Sequence, residues 1–143
     1  GAVLLIFVHA MYSIPGLTAT PLAIALIIIL GIGFSLVPSA MWPSVPKIIP
    51  EKQLGTAYAM IFWVQNIGLM GVPALIGWVL NKYCITGTHL IDGVEVSSYN
   101  YTLPMIIFTC FGIIALVFAL LLKAEDKKKG YGLELPNIKK QLL

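Results

Sequence analysis

Gly31-Ile-Gly-Phe-Ser-Leu-Val-Pro-Ser-Ala-Met-Trp-Pro-Ser-Val-Pro-Lys47, followed by Pro50-Glu-Lys-Gln-Leu-Gly-Thr-Ala-Tyr58, decides how this chain is read. An apolar run punctuated by glycine, proline and hydroxyls meets a short charged loop. A second apolar run follows and carries the amides Gln65 and Asn66. In lipid, backbone groups freed by proline need new partners, so such a run either lines a cavity or packs closely on its neighbours.

Working outward, the chain is 59% apolar and only 10% charged over 143 residues. A soluble domain carries about a quarter charged residues, which excludes an ordinary water-soluble fold. Crossing a bilayer takes about 20 apolar residues, and stretches near 20–49, 54–81 and 102–123 provide them. Residues 1–13 are an apolar piece too short to span alone. The expected fold is therefore all-α and integral to the membrane, with four transmembrane helices, a loop over 83–101 and a tail over 130–143. Gly1 opens inside an apolar run, without an initiator Met or the charged start of a signal peptide. The reading is the C-terminal part of a longer chain, whose missing N-terminal helices are partners of this one.

Charge placement gives an orientation. Six of the nine lysines (Lys123, Lys127, Lys128, Lys129, Lys139, Lys140) lie at or beyond the end of the last span, and Lys47 and Lys52 flank the loop between the second and third. Lysine-rich loops stay on the cytoplasmic side, so that loop and the C-terminus are expected inside and 83–101 outside. The lysine tail reads as an anchor near anionic lipid and not as a nucleic-acid site.

The second helix is expected to open with a Thr20 N-cap and Pro21 at the first helical position. A helix from there to Ile49 would be about 40 Å long, longer than the roughly 30 Å of hydrocarbon, and Pro38, Pro43 and Pro46 supply bends. Gly31, Ser35, Ser39 and Trp42 share one face. Either that face meets a water-filled path, or its serines satisfy neighbouring carbonyls and Trp42 anchors at the interface. Asn66 lies near mid-span, where an amide must be hydrogen-bonded, to a neighbouring helix or to a substrate. Gly68 and Gly71 lie roughly opposite and offer a packing surface for another helix. Asp92-Gly93 is a hairpin turn signal in the outer loop. His9, near the outer end of the first helix, is either a proton relay or a hydrogen-bonded interfacial residue.

No Gly-rich phosphate loop, nucleophile elbow, carboxylate pair or Cys/His cluster is present. The chain is not read as an enzyme, and neither metal nor cofactor is expected. Cys84 and Cys110 fall in different environments and should not pair. All six acidic residues sit in loops or the tail, so any intramembrane carboxylate for proton coupling would come from outside this sequence.

Trp42-Pro43, then Pro50-Glu51-x-Gln53-Leu54-Gly55-Thr56-Ala57-Tyr58, then Gln65-Asn66-x-Gly68-Leu69 resemble the major facilitator superfamily, most of all its branch of lysosomal dipeptide carriers. The resemblance covers about thirty residues. It implies that the four spans are helices nine to twelve of twelve, that the tenth and eleventh line the central cavity, and that the ninth and twelfth are peripheral. On that basis Ser35, Ser39, Trp42, Gln65 and Asn66 are cavity candidates, and Pro38, Pro43, Pro50, Glu51 and Gly55 belong to a gate or hinge. The implied function is a secondary or facilitative transporter that moves small organic solutes, dipeptides first, by alternating access. The long outer loop and the absence of a lysosomal sorting signal favour a bacterial inner membrane over a lysosomal one. The competing class is a transporter-fold protein acting as a receptor or assembly subunit.

Overall fold

A computed structural model of the chain describes residues 1–17 and 19–136. Lys139 and Lys140, with the distal part of the expected tail, lie outside the described residues. The elements run α1 (Ala2–Tyr12), α2 (Thr20–Ile48), a 3-10 turn (Glu51–Gln53), α3 (Leu54–Tyr83), β1 (Ile85–Ile91), β2 (Val94–Tyr99) and α4 (Thr102–Lys129). Helices α2 and α4, and α3 with the turn before it, are each long and apolar enough to cross a membrane. Hydrocarbon offers backbone groups no water, so a lone segment satisfies them only as a helix. The all-α membrane fold expected from the composition is the one observed, with one small hairpin added outside the spans.

Several boundaries differ from expectation. Ala19, not Thr20, is the N-cap of α2, no side chain caps it, and Pro21 is the second helical residue. Proline is tolerated there because first-turn amides have no acceptor within the helix. Helix α4 runs on to Lys129, past the expected end of its apolar run. Lys123 to Lys129 are mostly good helix formers, and a Glu125–Lys129 pair at 2.9 Å adds support one turn apart. Gly130 ends the helix in the left-handed conformation, with φ of 69°, which glycine adopts without a Cβ clash.

The hairpin is antiparallel, with Ile91 opposite Val94. Asp92 and Gly93 both have positive φ, 51° and 80°, as a tight two-residue turn of this hand requires. Around its base, Trp78, Tyr83, Tyr99 and Tyr101 gather. Lys82 lies 5.0 Å from the Trp78 ring and 5.3 Å from that of Tyr83, and the Tyr99 hydroxyl donates to Asn81 Oδ1 at 3.0 Å. Aromatic rings with one polar tip suit the boundary between lipid and water.

Packing is concentrated on α1, which lies between α2 and α4. Val8 of α1 is fully buried. Gly33 of α2 and Gly112 of α4 are buried against it. A Cβ on Gly33 would sit 3.1 Å from Leu4 Cβ, and one on Gly112 would sit 2.8 Å from Ile6 Cγ1. At the hairpin end, the Tyr12 hydroxyl donates to the Ala23 carbonyl at 2.8 Å, and the His9 ring lies 5.3 Å from that of Phe108. His9 Nδ1 is bonded to the Leu5 carbonyl at 2.7 Å, so the ring is a packed, hydrogen-bonded group. Cys84 and Cys110 are both free thiols.

Gly112→Val should lower the thermal midpoint of the full-length protein in detergent, with the cost of about 1–3 kcal/mol usual for overpacking. Adding Ile6→Ala should recover part of that loss, so that the double variant is more stable than the sum of the singles predicts.

Candidate functional site

Helix α2 continues through Pro38, Pro43 and Pro46 as one 29-residue element. Each proline lacks the amide that would bond the carbonyl four residues back. For Pro46 that carbonyl belongs to Trp42, and the Tyr58 hydroxyl of α3 donates to it at 3.3 Å. The Trp42 ring packs beside, 5.6 Å from the Tyr58 ring and 5.0 Å from that of Phe62. Trp42, one of the cavity candidates, is thus half-buried in an aromatic joint between α2 and α3. Tyr58 and Phe62 were not singled out from the sequence. A proline four residues after a tryptophan, with a tyrosine early in the next helix, was the available signal.

The serines do what serines in apolar helices commonly do. Ser35 Oγ donates to the Gly31 carbonyl at 2.9 Å, and Ser39 Oγ to the Ser35 carbonyl at 2.9 Å. Asn66 Nδ2 donates to the Phe62 carbonyl of its own helix at 2.8 Å. An Asn side chain reaches the carbonyl one turn back, and this bond uses one of its two amide hydrogens. Gln65 and Asn66 are both exposed, as are Gly68 and Gly71. Nothing among the described residues comes within 4 Å of a Cβ built on either glycine. Among the described residues, the close helix packing is at Gly33 and Gly112. Their small-residue signal was present in the sequence, but several other glycines carried the same signal.

Pro50 precedes the 3-10 turn that Glu51 begins, and its carbonyl accepts the Gln53 amide at 2.9 Å. Gly55 lies in the first turn of α3 with open space around it. These residues form the α2–α3 corner, whereas Pro38 and Pro43 lie further up α2.

A cavity of about 900 Å³ separates α2 from α4 at this end. Ser39, Pro43 and Lys47 line it from α2, Phe118, Leu122 and Lys123 from α4, and residues 133–136 from the tail. Lys123 and Glu134 pair at 2.6 Å. That contact, with help from the charge of Lys127, holds the Glu134 carboxyl below the usual carboxylate range. Because the folded value is the lower one, the pair favours the folded tail above the ordinary carboxylate range. Its contribution fades as pH falls through the lowered value. Both partners are exposed, so the contribution is small.

Long apolar helices with an interfacial aromatic ring define a polytopic membrane protein. The comparisons add a class of relative. Over 54 residues the chain is 45% identical to the lysosomal dipeptide transporter MFSD1 of Mus musculus, covering 38% of this chain and 12% of the relative. The human protein of the same name is 42% identical over 54 residues, with the same coverage. That of Danio rerio is 42% identical over 53 residues, 37% of this chain and 12% of the relative. The matched part thus spans about an eighth of these curated relatives, which are major facilitator superfamily transporters. The resemblance read from the sequence is therefore shared with named transporters, over part of the chain. No family model and no solved structure matches.

Tyr58→Phe should strand the Trp42 carbonyl and lower stability by about 1 kcal/mol. With Pro46→Ala, residue 46 regains an amide for that carbonyl, so Tyr58→Phe should then cost little. A double-variant cycle of detergent melting midpoints measures the difference.

Proposed function

We propose that this chain forms part of a secondary or facilitative transporter that moves small organic solutes, dipeptides first, by alternating access. The observation that carries the reading is the 45% identity over 54 residues to a protein named as a dipeptide transporter. The placement of polar groups supports it: hydroxyls on α2 and amides on α3 lie on exposed faces of helices whose neighbours are otherwise apolar. In this reading α2 and α3 are the cavity-lining pair, with Ser35, Ser39, Gln65 and Asn66 toward the solute and Trp42 at the base of the path. Pro38 and Pro43 let α2 bend, Pro50, Glu51 and Gly55 form the connecting gate, and Gly68 and Gly71 receive helices from the rest of the protein. The lysines set the α2–α3 corner and the tail on the cytoplasmic side, in a bacterial inner membrane sooner than a lysosomal one. Any coupling proton would be carried by carboxylates elsewhere in the full-length protein. The relatives' names favour a carrier over an enzyme.

A second reading, a transporter-fold receptor or assembly subunit, draws on one observation. The hydroxyl donors of Ser35 and Ser39 and one of the two amide hydrogens of Asn66 are spent on carbonyls of their own helices. Uptake of labelled dipeptides into proteoliposomes holding the full-length protein separates the two. Saturable uptake is expected, and Asn66→Leu should raise KM by about tenfold, the equivalent of about 1.4 kcal/mol. Uptake unchanged in that variant would return Asn66 to a structural role. No saturable uptake of any dipeptide would sink the substrate assignment.

A further inference from the structure

We propose that residues 131–136 are an intramolecular strap that latches the tail end of α2 to α4, with Lys47 as its pin. At the hairpin end α1 lies between these helices. Toward the tail, the 900 Å³ cavity lies between α2 and α4. Across its mouth the chain turns back at Gly130 and again at Gly132, both with positive φ.

Each side of the turn-back is tied down. On the α4 side, both carboxylate oxygens of Asp126 accept the Leu133 amide at 3.3 Å, and Lys123 pairs with Glu134. Within the strap, the Leu135 amide donates to the Gly132 carbonyl at 3.1 Å. That bond curls the segment so that its carbonyls converge. On the α2 side, Lys47 Nζ donates to the carbonyls of Gly132 at 2.9 Å, Leu133 at 3.4 Å, and Leu135. An ammonium has three donors and no acceptor, and this one finds three acceptors from a single turn. Lys47 sits one residue before the last residue of α2, so the contact fixes the end of that helix.

Such a latch is reversible by construction. It uses polar bonds at a solvated edge, where water can replace each partner at small net cost. With Lys47 engaged, the tail-end half of α2 moves with α4. Released, that end of α2 is no longer tied to the tail of α4. The strap stands on these contacts alone and does not rest on the transport reading.

Hydrogen exchange read by mass spectrometry on the full-length protein in nanodiscs tests it. Peptides covering 131–136 should exchange slowly, and Lys47→Met should raise their exchange to that of unstructured chain. Lys47→Arg should keep most of the protection, and Lys52→Met, which removes the same charge from the adjoining loop, should leave it unchanged. Gly132→Val disrupts the turn without touching a helix, and should speed exchange at the α2 end over 45–49. Rapid exchange of 131–136 in the parent protein would overturn the strap. So would protection that survives Lys47→Met, or an α2 end indifferent to Gly132→Val.

Discussion

Gly33 and Gly112 let α1 lie closer to α2 and α4 than any side chain would permit, and the packed part of the molecule depends on that approach. Between helices in lipid there is no hydrophobic drive, since the tails are as apolar as the side chains. What holds helices together is fit. Helix α1 runs over Ala2–Tyr12. It is fixed here by Leu4 and Ile6 against the two glycines, by Val8 in full burial, and by Tyr12 bonded across to α2. Toward the tail, the cavity and residues 133–136 lie between α2 and α4.

The second constraint is the treatment of carbonyls that proline leaves unbonded. Helix α2 keeps its course through Pro38, Pro43 and Pro46, and the Trp42 carbonyl is answered by a phenol from the next helix. That single donor orients the start of α3, and the rings of Trp42, Tyr58 and Phe62 close around it. Helix α3 is mostly exposed and in places half-buried, with Val79 as its one buried residue. Its position is set at the two ends, by this joint and by the aromatic and hydrogen-bonded base of the hairpin.

These features bear on the proposed carrier in a physical way. A solute path through apolar surroundings needs polar groups that are satisfied when the path is empty and able to change partners when it is filled. Ser35, Ser39 and Asn66 meet the first requirement through carbonyls of their own turns. Their oxygens remain acceptors, and Asn66 keeps a second amide hydrogen.

Much was legible without coordinates. Apolar length and scarcity of charge determined a helical membrane fold, because only helices satisfy backbone groups in a lone apolar segment. Asp92-Gly93 determined the hairpin turn, because few residues tolerate positive φ at both positions. Tertiary structure alone decided which small residues pack. Gly33 and Gly112 look like the other glycines of the spans in sequence, and only the approach of α1 shows that these two pack. It also decided that Tyr58 serves the carbonyl freed by Pro46, and that Lys47 meets the backbone of residues 132–135. Those pairings join residues distant along the chain, the last two through backbone carbonyls, which every residue type presents alike.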